Sequence, residues 1–594
     1  MKEKNLKVKN NRAPKKKSQK KKNPEIMAVT WFFTLLLLSM SGYIIYYSAT
    51  HKQELINNSY NGRQQMLLAQ NRRGSIYSGD GQILARTVEG EDGKEVREYP
   101  YGNLFSHVVG YAVNGKMGLE SQCNYYLINS NAPLSQKASL EAKGEKYPGD
   151  NVYTTLDTNL QQVASTALGV YRGAILVTEP QTGRILAMVS HPDFDPSTVA
   201  QEWDNYLQDT DSGILLNRVT QGLYPPGSTF KIITSLEYIR EHPDTYQNYR
   251  YQCVGSIKWG EDRIQCYHGS VHGSVDFTRS FAKSCNTSYA NIGLSLDRKE
   301  FGDTLNQLLF NQKLPVTFQH SVSNLVVDEN TSDADMMQIS IGQGAAGITP
   351  LQLNMITCAI ANNGRLMKPY LVDSVKNSAG SITREFKPSA YGNLMTETEA
   401  AAMQALMEAV VTEGTASRLK DLSYTAAGKT GSAEYGTVKG ESHAWFTGYA
   451  PAENPQVCVT IIIEGAGAGG DYAVPIAKRI FDAYYLPAGP LRHRHHGEGR
   501  LCLCGLSGQG RTAVLADLAP DSHRLRRFPL SVSGRLRGQP LSHRSGQAGR
   551  RGTAEKRGNQ EHSMGQQSGA GGFWSHVRSS DERAAAGVSA VCTG

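Results

Sequence analysis

Three short groups of residues carry the chemistry open to this chain. Ser228 and Lys231 lie three apart in YPPGSTFKIITSLEYI (224–239). On a helix that spacing is about one turn, so a lysine amine stands beside a serine hydroxyl. A serine hydroxyl is a weak nucleophile until a base takes its proton. A lysine shielded from water, or set beside another cation, loses its charge and can be that base. A helix N-terminus at Ser228 would also favour developing negative charge. Ser284-Cys285-Asn286 follows 56 residues after Ser228, and Lys429-Thr430-Gly431 follows 145 residues after Ser284. Each group alone is common by chance; together and in this order they are specific.

The elements that must position them are legible in outline. Pro225-Pro226-Gly227 forces a turn, and helix signals begin at Ser228. Ile232, Leu236 and Ile239 repeat at helical spacing and give that helix a buried face. TTLDTNLQQVASTAL (154–168) predicts a helix capped by Asp157. GAILVTEPQTGRILAMVS (173–190) predicts a hairpin turning at 179–183. HAWFTGYAP (443–451) and VCVTIIIEG (457–465) predict two more strands, and AVPIAKRIFDAYY (473–485) a closing helix. NRRGSIYSGDGQILART (71–87) predicts two short strands around a Gly-Asp-Gly turn, within a small extended module over 49–150. Distant strands with helices between them predict an α+β layered domain over 151–486.

Charge divides the chain. The 594 residues have a net charge of +8, which would suit a nucleic-acid partner. Residues 1–25 hold 11 Lys and Arg against 2 acids, residues 26–486 hold 35 against 45, and residues 487–594 hold 16 against 7. The body is therefore acidic, and no nucleic-acid partner is expected. Residues 26–48 are 23 in number and uncharged, and at about 1.5 Å rise each they span a bilayer core. The basic block before them predicts a single uncleaved anchor with a cytoplasmic N-terminus and everything later outside. After Leu486 the composition changes abruptly: 15 Arg with 1 Lys, 7 of the 15 His, no Ile and no Tyr. Two readings stand, an end translated out of frame and a genuine basic tail of low order. With 39% hydrophobic residues a packed body is allowed, and nine Cys are too few for a disulfide scaffold.

The sequence resembles the class B penicillin-binding proteins, monofunctional peptidoglycan D,D-transpeptidases, in a compact form with a short pedestal. RRGSIYSGDGQILA, MGLE (117–120), GAILVTEPQTGRILAMVSHPDFDPS, NRVTQGLYPPGSTFKIIT, SFAKSCNTSYA, IGQGAAGITPLQL (341–353) and KTGSAE…HAWFTGYAP carry the resemblance over about 26–486. It implies that Ser228 is acylated by the penultimate D-Ala of a stem peptide ending in D-Ala-D-Ala, with Lys231 as general base. It implies that Ser284 relays the proton to the leaving amine and that Asn286 holds Lys231 and the substrate amide. Lys429 would supply charge for the substrate carboxylate and tune Ser284; Thr430 would bind that carboxylate and Gly431 leave room for close approach. The N–H groups of Ser228 and Ser432 would form an oxyanion hole. Cys285 fills a position where the family varies. The resemblance implies β-lactam inhibition, no cofactor and no catalytic metal, and a polytopic glycosyltransferase partner at the membrane. A D,D-carboxypeptidase or β-lactamase-type hydrolase on the same fold is the alternative the motifs leave open.

Cys253 and Cys266 flank VGSIKWGEDRIQ, with His268 and His272 close behind. Three readings stand: a disulfide, which an outside location permits, free thiols, or a loose metal spacing. His443, before a strand near the third motif, is expected to pack rather than react.

Overall fold

The computed structural model describes residues 23–50, 62–435 and 441–486. The expectations for most of the basic N-terminal block and for the tail 487–594 lie outside the described residues. Helix α1, Pro24–Thr50, carries no charge after Glu25, and its side chains from Pro24 to Ser48 are exposed. It is long and apolar enough to cross a membrane.

The larger domain is organised around a five-stranded antiparallel sheet. In chain order its parts are α2 (Thr158–Leu168), β1 (Gly173–Thr178), β2 (Ile185–His191), α3 (Lys231–Glu241), α4 (Asn286–Ser295), α5 (Pro350–Ala361), α6 (Glu397–Thr412), β3 (Ala427–Glu434), β4 (Ser442–Ala450), β5 (Val457–Ile463) and α7 (Gly469–Tyr485). The strand order is β3-β4-β5-β1-β2, so the first hairpin pairs with the last strand of the chain. Nearly every residue of these strands is buried, as a sheet covered by helices requires. Asp157 caps α2 as expected, accepting from Leu160 N at 2.8 Å. The closing helix begins at Gly469, four residues before the expected start. Helix α5 is buried along its whole length. It meets the sheet through hydroxyls: Thr357 to Thr447 at 2.7 Å and Thr447 to Thr460 at 2.7 Å.

The pedestal sheet draws on both sides of the expected boundary at residue 150. Its order is Ile382–Glu385, Val372–Lys376, Asn151–Thr154, Ile76–Tyr77, Ile83–Glu89, Glu95–Glu98. Ile76–Tyr77 and Ile83–Glu89 pair around the expected Gly-Asp-Gly turn. Two strands from beyond residue 370 complete the sheet, which no local signal announces.

Candidate active site

The turn at Pro225–Gly227 delivers the first motif onto strand β3. Gly227 has φ +52°, and a Cβ there would lie 2.6 Å from the Ser432 carbonyl oxygen. Only glycine allows that approach without strain. Trp445 Nε1 donates to the Pro225 carbonyl at 3.1 Å and ties the turn to β4. The chain then makes one 3-10 turn, Gly227–Phe230, and α3 begins at Lys231. The expected helix start at Ser228 is thus a tighter turn first. Ile232, Leu236 and Ile239 are buried, as their spacing requires, and so is Lys231 itself.

The second motif sits between two helices. Phe277–Ala282 ends, Ser284 N donates to Phe281 O at 3.0 Å, and Cys285 N donates to Ser280 O at 2.9 Å. Ser284 takes φ +55°, a left-handed conformation uncommon outside glycine. Helix α4 restarts at Asn286. This reversal sends the Ser284 hydroxyl and the Asn286 amide towards the same nitrogen. Lys231 Nζ lies 3.1 Å from Ser228 Oγ, 3.2 Å from Ser284 Oγ, 2.8 Å from Ser284 O and 2.7 Å from Asn286 Oδ1.

The third motif reaches the same point from β3. Lys429 Nζ donates to Ser284 Oγ at 3.0 Å and to Thr430 O at 3.1 Å. The structure therefore brings Ser228, Lys231, Ser284, Asn286 and Lys429 into one hydrogen-bonded group. Thr430 is nearly buried, and Ser432 accepts from Gly469 N at 3.4 Å. A Cβ on Gly431 would stand 3.0 Å from Thr229 Cγ2 and 3.2 Å from Pro226 O, which accounts for glycine where β3 passes the first motif.

The electrostatics follow from burial without counter-charge. Among the described residues neither lysine is in an ion pair. Burial pushes the Lys231 ammonium down to about 7. Burial, then the Lys231 charge, holds Lys429 well below the usual lysine range. The partners of Lys231 fit either form of it. Ser284 O and Asn286 Oδ1 are acceptors only, so they take two N–H bonds. In the neutral amine the remaining lone pair is free to accept the hydroxyl proton of Ser228.

Three residues of the site had not been singled out. Lys231 Nζ lies 5.3 Å from the Tyr289 ring centre, and Lys429 Nζ lies 5.4 Å from that of Phe281. Both rings occur in the quoted stretch SFAKSCNTSYA, Tyr289 about one helical turn after Asn286. The Thr415 hydroxyl lies 2.5 Å from that of Thr430, and no spacing in the sequence marks it. His443 packs as expected: it stacks on Tyr435 and accepts from Gly465 N at 3.1 Å.

Cys253 and Cys266 are thiols with sulfurs 3.7 Å apart, so no disulfide joins them. His268 is exposed beside Tyr267, while His272 Nδ1 lies 3.5 Å from Cys253 Sγ. Cys285 of the second motif adds a third sulfur, 3.7 Å from that of Cys266.

Residues 173–482 match the penicillin-binding protein transpeptidase domain, and residues 73–152 match the penicillin-binding protein A dimerisation domain. The peptidoglycan D,D-transpeptidase PbpA of Mycolicibacterium smegmatis is 31% identical over 438 residues, covering 68% of this chain and 88% of that protein. The peptidoglycan D,D-transpeptidase MrdA of Acinetobacter baumannii is 27% identical, covering 68% of each. The fold is similar to penicillin-binding protein A of M. tuberculosis in its imipenem acyl-enzyme complex. There the TM-score is 0.64 and the identity 28%, with 70% of this chain and 99% of that chain covered.

Proposed function

The chain belongs to the penicillin-binding protein transpeptidase family, and on that premise we propose how its residues carry the reaction. It is a serine-type peptidoglycan D,D-transpeptidase and a β-lactam target, with one N-terminal helix fit for a membrane anchor. Ser228 Oγ attacks the penultimate D-Ala carbonyl while its proton passes to the lone pair of neutral Lys231. The backbone N–H groups of Ser228 and Ser432 receive the oxyanion, each donor contributing about 2.7–4 kcal/mol in comparable sites. The bond to the terminal D-Ala breaks, and the proton travels from Lys231 through Ser284 to the departing amine. Asn286 holds Lys231 and the substrate amide. Lys429, Thr430 and the neighbouring Thr415 receive the substrate carboxylate. The amine of a second stem peptide then attacks the Ser228 ester, gives up its proton to regenerate the serine hydroxyl, and leaves as the cross-linked amide. In a β-lactam the cleaved amide stays tethered through the opened ring, so the acyl group persists.

A single observation carries this assignment. Lys231 Nζ is within hydrogen-bond reach of the Ser228 hydroxyl and, on its other side, of the Ser284 hydroxyl that Lys429 also holds. Ser228→Ala is expected to abolish covalent labelling by a fluorescent penicillin with the fold intact; labelling at the wild-type level would overturn the nucleophile assignment. With two stem peptides the product is a cross-linked dimer; release of D-Ala alone would identify a hydrolase instead.

Eleven cationic residues before α1 support a cytoplasmic N-terminus with the catalytic body outside. A polytopic glycosyltransferase is the proposed partner, because cross-linking acts on strands polymerised at the same membrane. Co-purification from detergent tests it; a tagged protein that never retains such a polymerase would count against it.

A further inference from the structure

We propose that Glu464 is a positioning residue for the nucleophile: through the hydroxyl of Tyr224 it fixes the turn that delivers Ser228 to Lys231. Glu464 directly follows β5, and its backbone N–H still donates to Arg172 O at 2.8 Å, one residue beyond the β5–β1 ladder. Its carboxylate therefore stands on the frame of the main sheet. Oε1 accepts from the Tyr224 hydroxyl at 2.8 Å and from Arg218 Nε at 2.7 Å, while Oε2 accepts from Arg172 Nε at 3.1 Å. Arg218 is buried, and two further N–H groups of its guanidinium go to the carbonyls of Gly213 at 3.0 Å and Ser212 at 2.6 Å. The residue after Glu464 is held as well, since Gly465 N donates to His443 Nδ1 on β4 at 3.1 Å. A carboxylate paired and pinned in this way is a fixed acceptor for the tyrosine.

Tyr224 passes that position on over a short, stiff path. Its backbone pairs with Ile348 both ways, donating at 3.1 Å and accepting at 2.9 Å. Its ring lies edge-on to His443 and Trp445, with centres 5.6 and 6.1 Å away. A Cβ on Gly222 would stand 2.4 Å from that ring and 2.8 Å from Arg218 O, so glycine is what lets the chain fold back over the tyrosine. Pro225 and Pro226 come next, each with its φ locked by the pyrrolidine ring. Gly227 N then donates to Gly342 O at 2.9 Å, and Ser228 follows. Little torsional freedom separates the anchored hydroxyl from the attacking one. An anchor of this kind is felt in the chemical step rather than in the first binding of substrate, and a misplacement of about 1 Å costs about 10²-fold. The anchor itself does not titrate near neutrality. Burial, then the Glu464 charge, holds the Tyr224 hydroxyl well above the usual phenol range. Burial alone would raise the Glu464 carboxyl, but the hydrogen bonds from Arg218 and Tyr224 hold it below its usual value. Donor and acceptor therefore keep their roles between pH 6 and 8.

The test is acylation of the full chain in detergent by a fluorescent penicillin, with the encounter constant resolved from the saturating rate constant. Tyr224→Phe keeps the ring and removes the hydroxyl. It should lower the saturating rate constant about tenfold and leave the encounter constant within about twofold of wild type. The pH midpoint of the rate should stay at about 7, because Lys231 is untouched. Glu464→Gln should slow the same step at least as far. The double variant should be no slower than the slower single one, since both break one path. Glu120→Gln, in the pedestal, serves as the reference for lost stability without lost positioning. A wild-type rate constant in Tyr224→Phe overturns the proposal, and that variant decides alone if Glu464→Gln does not fold. Losses that multiply in the double variant overturn the shared path. A moved pH midpoint overturns it too, by placing the effect on the base. The inference rests on Ser228 as nucleophile, which Ser228→Ala tests separately: that variant loses labelling, whereas these label more slowly at the same serine.

Discussion

Two buried charge clusters in this molecule have opposite designs. In the pedestal, Glu120 is fully buried, accepting from Arg73 Nε at 2.7 Å and from Arg97 Nε at 2.7 Å. Burial alone would raise its carboxyl, but the two guanidinium groups hold it below its usual value. In the cleft, Lys231 and Lys429 are as deeply buried, yet hydroxyls, carbonyls and an amide surround them. Counter-charge keeps a buried ion ionised and inert. Neutral partners do not oppose the effect of burial, which lowers both lysines and brings Lys231 to about 7. The first arrangement joins the Arg-Arg segment at 72–73 to the stretch MGLE and the strand Glu95–Glu98; the second suits the base proposed above.

The largest expected effect is on the cleft. Lys231→Met should slow acylation by about 10²–10⁴-fold, the usual contribution of a positioned base, without loss of thermal stability. A large fall in melting temperature would mean Lys231 is chiefly structural and would erase the contrast. Next is the pedestal: Glu120→Gln leaves two buried guanidiniums unpaired and should destabilise the chain by about 3–5 kcal/mol in denaturant unfolding. Acylation per folded molecule should stay unchanged; a parallel loss of activity would show that the two clusters are coupled.

Acidity separates the clusters further. The acylation rate should rise about tenfold per pH unit up to about 7 and then level, because the neutral amine is the active form. Stability should respond in two windows. Lys231 is depressed in the folded state, so its cost is full below about 7 and fades as pH rises towards the unfolded lysine value. Glu120 is also depressed, so its contribution is present above the unfolded carboxyl value and is lost as pH falls through the folded one. A flat rate profile between pH 6 and 8 would remove Lys231 as the base. The smallest effect is expected at Thr415. Thr415→Val removes one hydroxyl beside Thr430 and should lower acylation by about fivefold, the worth of about 1 kcal/mol.

Much of the site was legible because its members come in short local groups. Ser228 and Lys231 share one turn, Ser284 and Asn286 share one junction, and the apolar spacing of Ile232, Leu236 and Ile239 announces the helix that holds the first pair. The main sheet was legible too, since its strands are continuous apolar runs with clear turns. Three things were not. The pedestal sheet recruits Val372–Lys376 and Ile382–Glu385 across more than 200 residues, and pairing at that distance has no local signature. Thr415 reaches Thr430 only because its loop follows α6, which packs against β3. Cys285 stands where the family varies, and the spacing after Cys253 and Cys266 does not distinguish His268 from His272. The fold puts Cys285 among the thiols and leaves His268 in solvent.

The sequence by itself determined which functional groups exist, the order in which they meet the chain, and the helix and strand periods that carry them. Those follow from residue type and short spacing, where sterics and local hydrogen bonding act alone. Tertiary structure decided the burial that lowers Lys231, the left-handed turn at Ser284, and the meeting of three sulfurs with His272. Each depends on how much water is excluded and on which distant segment excludes it. Burial, unlike spacing, is a property of the packed molecule.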